Sequence, residues 1–208
     1  MRDKWYGDKR DVVKWGSIAA LADRHSICSV LQIAFYRPDK TDFCFDGTTE
    51  LLQPKVISYF RNLENIKGLA KILNLKIDVY KNTFRRLPEF QNEFQTNKEF
   101  REGYFKQVER IIKSYVESVI VFLDPDTGIA PQYYDFSHVT TDEIRQVFNA
   151  MKNKDILIFY QHARLGNGDW PKTTKAEFQN AVGDAIHVET FTCSEIAGDV
   201  AFFVAEKV

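Results

Sequence analysis

Three short runs constrain this chain more than anything else in it. "CSVLQIAF" (28–35), "SVIVFL" (118–123) and "DILIFY" (155–160) are apolar almost throughout and too brief for buried helices. Unbroken apolarity over that length is the pattern of strands covered on both faces, as in a parallel sheet. Segments of helical period separate them. "RDVVKWGSIAALADRH" (10–25) carries Val12, Val13, Ala19, Ala20 and Leu21, with Asp8 as its N-cap. Residues 55–73 and 173–183 have the same spacing. Residues 89–116 do too, in two pieces broken near Gly103. "TTDEIRQVFNAM" (140–151) starts on a capping box of Thr140 and Glu143. "KIDVY" (76–80) is a further strand, and 185–193 with 199–206 form a closing hairpin across "SEIAG". Residues 37–54 read as loop. The expectation is an α/β fold: one domain over 1–208, a three-layer sandwich with a mostly parallel central sheet and a C-terminal antiparallel hairpin.

Charge and composition exclude several classes. The formal net charge is −1, so no whole-molecule basic field draws in nucleic acid, and a polyanion would need a local patch. No apolar run reaches the roughly 20 residues of a membrane span. "MRDKWYGDKRD" at the start lacks the apolar stretch of a signal peptide. The three cysteines have no C-x-x-C spacing, which argues against a disulfide framework or a structural zinc site and for a reducing cytoplasm. Cys28 and Cys193 fall in expected strands and read as small buried hydrophobes.

In open α/β sheets, ligands bind beyond the carboxyl ends of the strands. Asp124-Pro125-Asp126-Thr127-Gly128 follows one strand; Gln161-His162-Ala163-Arg164 follows another; Tyr36-Arg37 follows a third. Asp-Pro-Asp serves equally as a turn and as a catalytic pair, in which one carboxylate holds a water as general base. His162 sits after five apolar residues and before a glycine-rich segment, whereas His25, His138 and His187 read as surface or capping residues. Lys9, Arg10 and Lys14 place cations in the first turns after Asp8, against the helix dipole, which suggests an anionic partner. Solvated charge neutralised by Asp8 and Asp11 is the competing explanation.

The order of these features resembles the Rossmann-like methyltransferases: an alternating core, a strand ending "FLDPD", a later "LIFY" strand and a closing hairpin. Asp124-Pro125 is similar to the Asp/Asn-Pro-Pro-Tyr signature of amino-methylating enzymes, but Asp126 and Thr127 depart from it. No glycine loop follows the first strand, which runs into "AFYRPDK". The chain is also faintly similar to the uracil-DNA glycosylase superfamily, with Asp124-Pro125 and His162 as the matching residues, and to phage-defence DNA glycosylases through "GDKRD", "DPDTG" and "FYQH".

The missing glycine loop turns the expectation toward a hydrolase of nucleic acid, a DNA glycosylase that uses neither cofactor nor metal. Asp124 would be the principal carboxylate, Asp126 its partner and His162 the leaving-group residue. Asp8, Lys9, Arg10, Lys14, Arg164, Gln161, Tyr36 and Arg37 would contact the DNA. A methyltransferase or its degenerate relative, a divalent-metal nuclease built on Asp124, Asp126 and Asp8, and an inactive binding module are the alternatives.

Overall fold

The computed structural model of the chain describes residues 7–37, 43–45, 48–50, 65–84, 93–132, 134–163 and 169–208. The elements are α1 (Lys9–His25), β1 (Ser29–Ile33), β2 (Phe43–Phe45), β3 (Thr48–Glu50), α2 (Ile66–Leu73), β4 (Lys76–Tyr80), α3 (Glu93–Ser114), β5 (Val119–Leu123), β6 (Gly128–Ile129), β7 (His138–Val139), α4 (Thr141–Ala150), β8 (Ile156–His162), α5 (Trp170–Val182), β9 (Val188–Cys193), α6 (Ser194–Ala197) and β10 (Gly198–Glu206). Six strands form one sheet in the order β4-β1-β5-β8-β10-β9. β4, β1, β5 and β8 are parallel. β10 lies antiparallel between β8 and the edge strand β9. The α/β class and the closing hairpin are as the apolar runs predict.

Strand parity divides the interior into two layers. Ile120 and Phe122 of β5, Ile156, Ile158 and Tyr160 of β8, and Val200 and Phe202 of β10 face one side and pack against Val13, Trp15, Ile18 and Leu21 of α1. Val119, Val121, Leu123, Leu157 and Phe159 face the other, against Tyr104, Phe105 and Val108 of α3, Val147 of α4 and Phe178 of α5. Each large side chain buried this way contributes ~1.5–3 kcal/mol. Both faces of the central strands are covered, which is why their sequences do not alternate with polar residues.

Local signals at the helix starts are realised. Asp8 caps α1 by accepting from the backbone amides of Arg10 and Asp11. Thr140 and Glu143 form the reciprocal capping box of α4. Other expectations are corrected. α3 is one continuous helix through Gly103, because it is anchored by buried residues on both sides of the glycine, Arg101, Tyr104 and Phe105 among them. Residues 43–45 and 48–50, expected as loop, form a short antiparallel pair. α5 starts at Trp170, earlier than the spacing indicates, with Pro171 suited to a first turn that needs no amide donor. Cys28 is exposed and Cys193 only partly covered, since Cys28 precedes β1 and Cys193 ends the edge strand. Residues 55–64 and 89–92 lie outside the described residues.

Candidate functional site

The polar residues of the centre arrive by the same parity that builds the core. The inner face of α1 carries Asp11, Lys14, Trp15, Ile18, Leu21 and Ala22, a stripe at helical spacing in which Lys14 is the cationic member. Gln32 lies two residues after Val30 on β1, and Asp124 two after Phe122 of β5, so both face α1. Tyr160 and His162 follow Ile158 on β8 with the same alternation.

These side chains form a buried charge cluster. Lys14 Nζ stands 2.9 Å from Asp124 Oδ1 and 3.1 Å from Asp11 Oδ1. Asp124 Oδ2 accepts from Gln32 Nε2 at 2.8 Å. Asp124 is 1% exposed, so both of its oxygens are committed to protein groups where water has little access. Burial works against the Lys14 ammonium, but the two carboxylates outweigh it and raise its pKa above the ordinary lysine value. Asp11 is pushed up by its own burial, which Lys14 only partly offsets and the Asp124 charge reinforces.

Further ion pairs surround that cluster. Arg10 donates through Nε to Asp199 Oδ2 at 3.1 Å and through a terminal nitrogen to Asp8 at 2.9 Å. The hydrogen bond from Arg10 is the main reason the Asp199 carboxyl lies below the ordinary carboxylate value. His162 Nε2 is 3.4 Å from the same Asp199 oxygen. Arg37, just beyond β1, pairs with Asp126. Burial would raise the Asp126 carboxyl, but positive charge beside it, Arg37 included, holds it low.

A cleft of about 410 Å³ opens beside these groups at the carboxyl ends of β1, β5 and β8. Asp8, Arg10 and Lys14 come from the start of α1, Arg37 from beyond β1, residues 124–127 from beyond β5, and Tyr160 and His162 from β8. The volume falls in the range of small-ligand sites. Of the residues singled out by sequence, Asp124, Asp126, His162, Asp8, Arg10, Lys14 and Arg37 are brought together. Lys9 is exposed on the first turn and does not line the cleft. Tyr36 bridges to Thr83 beside β4. Arg164 lies outside the described residues.

Gln161 has a different task from contact with a ligand. It is fully buried, its oxygen accepts from the Ile129 amide, and its nitrogen donates to the carbonyls of Thr127 and His162. It thereby fixes the segment after Asp126. Gly128 is required there: its φ is +129°, and a Cβ would stand 2.1 Å from Gln161 Oε1. The turn after β1 is equally specific. Phe35 takes a left-handed φ of 45°, a conformation that favours glycine, and points to the layer opposite α1. There it meets Phe84, Tyr104 and Phe105 with ring centroids 5.1–5.9 Å away. The glycine-free turn thus leaves the α1 side of the strand end open.

Sequence reasoning left out Gln32, Tyr160 and Asp199. Their signal is parity: Gln32 interrupts an apolar run on a buried face, and Tyr160 stands two residues before His162 on one face. Asp199 opens the last strand and has no local signal of its own. Among the described residues, no three His, Cys, Asp or Glu side chains are grouped to hold a metal ion, and no helix is long and apolar enough to cross a membrane.

No family model matches the sequence, and no curated protein is similar to it. Among solved structures, the chain is similar to a Clostridium thermocellum protein whose assignment as an rRNA methylase is itself a proposal. The two share 12% identity at a TM-score of 0.37, over 90% of this chain and 97% of that one.

Proposed function

We propose that the cleft is the active site of a Rossmann-like methyltransferase and holds a sulfonium methyl donor of the S-adenosylmethionine type. The observation that carries this reading is the sign of the site at the strand ends. Among the described side chains of the cleft and those paired directly with its lining, five carboxylates (Asp8, Asp11, Asp124, Asp126, Asp199) meet three cations (Arg10, Lys14, Arg37); with the further positive charge acting on Asp126 the formal balance is −1, His162 neutral. A ligand with two cationic centres and one carboxylate complements such a mosaic, whereas a bare phosphodiester backbone does not. The donor supplies an electrophilic methyl group bonded to a cationic sulfur. Asp126, Arg37, Asp8 and Arg10 would orient it by exchanging part of their mutual pairing for contact with its charged tail. Lys14, Gln32 and Gln161 hold the loop after β5 in place.

The base-excising reading asks Asp124 to position a water, and Lys14 and Gln32 already engage both of its oxygens in a buried setting. That ranks hydrolysis behind methyl transfer. One pair of assays separates them. Calorimetric titration with S-adenosylmethionine should give saturable 1:1 binding. Incubation with plain and modified DNA in chelator, followed by alkali, should leave the DNA intact. Absence of donor binding together with alkali-labile breaks would replace methyl transfer with glycosidic hydrolysis.

A further inference from the structure

Most donors around the cleft are already engaged inside the protein. Lys14, Arg10 and Arg37 each contact at least one carboxylate. Gln161 is consumed by backbone carbonyls. Tyr160 differs. Its residue is only 4% exposed, it lines the cleft, and its hydroxyl has no hydrogen-bond partner among the described residues. The ring is fixed from two sides: Lys14 Nζ lies 4.5 Å from its centroid, and Phe202 packs at 5.8 Å. A phenol held this firmly by its ring, in the lining of a cavity, is an unspent hydrogen-bonding group in a fixed position. Leaving such a group unpaired beside a ligand is costly, so a ligand that supplies the partner gains from it.

We infer that Tyr160 is a ligand-contacting residue of the cleft, its hydroxyl donating to an oxygen or nitrogen acceptor of the bound methyl donor. The inference rests on the methyl-transfer reading and names one contact within that site. Burial, and the carboxylates of Asp124 and Asp8, raise the phenol above its ordinary pKa against the opposing pull of Lys14 and Arg10. The hydroxyl therefore stays protonated and acts as a donor at neutral pH, not as a base.

The test is calorimetric titration of wild-type protein and Tyr160→Phe with two probes, S-adenosylmethionine and S-adenosylhomocysteine. Phenylalanine keeps the ring beneath Lys14 and removes only the hydroxyl, and a thermal melt without ligand confirms that the fold is kept. The two probes share the same oxygen and nitrogen acceptors and differ in the sulfonium methyl. Loss of one neutral hydrogen bond should weaken both by a similar factor, about 3- to 10-fold. Unchanged affinity of Tyr160→Phe for both probes would overturn the contact while leaving the methyl-transfer reading in place. Weakening confined to the sulfonium form would also overturn it, because that pattern means an altered charge field and not a lost hydrogen bond. Failure of the wild type to bind either probe would overturn the methyl-transfer reading and the contact with it.

Discussion

Lys14 occupies a helix face that is otherwise apolar apart from Asp11, and its ammonium is what makes a buried Asp124 tolerable. Replacing it with methionine preserves packing volume but strands Asp124 and Asp11 with no cation. Removing one partner of a buried pair costs about 3–5 kcal/mol, so Lys14→Met should lower the urea-denaturation free energy by that order. Combining it with Asp124→Asn should cost less than the sum of the two single changes, because the second removes the charge the first left unpaired. Strict additivity would show that the two groups act independently. The acid limb of stability tests the other pairs. Asp126 and Asp199 have lowered folded-state pKa values, so their contribution is present above the unfolded carboxylate value and is lost as pH falls through the folded one. Melting temperature should drop below about pH 4, and Asp126→Asn with Asp199→Asn should flatten that drop. An unchanged acid limb would remove both pairs from the stability of the fold.

At the scale of elements, α3 and the loop after β5 give opposite predictions for the same substitution. Gly103 lies inside α3, and an added Cβ there meets nothing within 4 Å. Gly103→Ala should stabilise the protein by about 0.5–1 kcal/mol through reduced freedom of the unfolded chain and better helix propensity. Gly128→Ala meets the Gln161 amide and a φ that alanine rarely adopts, so it should cost at least the ~1–3 kcal/mol typical of such backbone strain. Paired urea melts decide both, and equal effects would mean that neither local geometry matters. The two glycines also show what sequence can convey. A glycine in a helical pattern reads as a break, yet α3 continues because Tyr104, Phe105, Val108 and Ile112 anchor it to the sheet. A glycine after Asp-Pro-Asp-Thr reads correctly as a bend, but its dependence on Gln161 crosses 33 positions of sequence and needs the sheet to be seen.

For the whole molecule, apolar runs and helical spacing were enough to anticipate an α/β sandwich, because burial on both faces writes itself into consecutive residues. The placement of the cleft was also legible: Asp124, Asp126 and Arg37 follow strands, His162 ends one, and the carboxyl ends of neighbouring parallel strands must meet. What each charge does was not legible. Lys14 and Arg10 read as a basic patch awaiting a polyanion, while their partners Asp124 and Asp199 are 110 and 189 residues away in sequence and join them only in the folded chain. With those partners in place, the cleft is an acid-rich mosaic suited to a small ligand bearing net positive charge. The most direct test is a crystal structure of the protein grown with saturating S-adenosylmethionine. Ligand density between the start of α1 and the ends of β5 and β8, in contact with Tyr160 and Asp126, is the predicted result. A clear cleft, or ligand bound elsewhere on the molecule, would contradict the assignment of this site to methyl transfer.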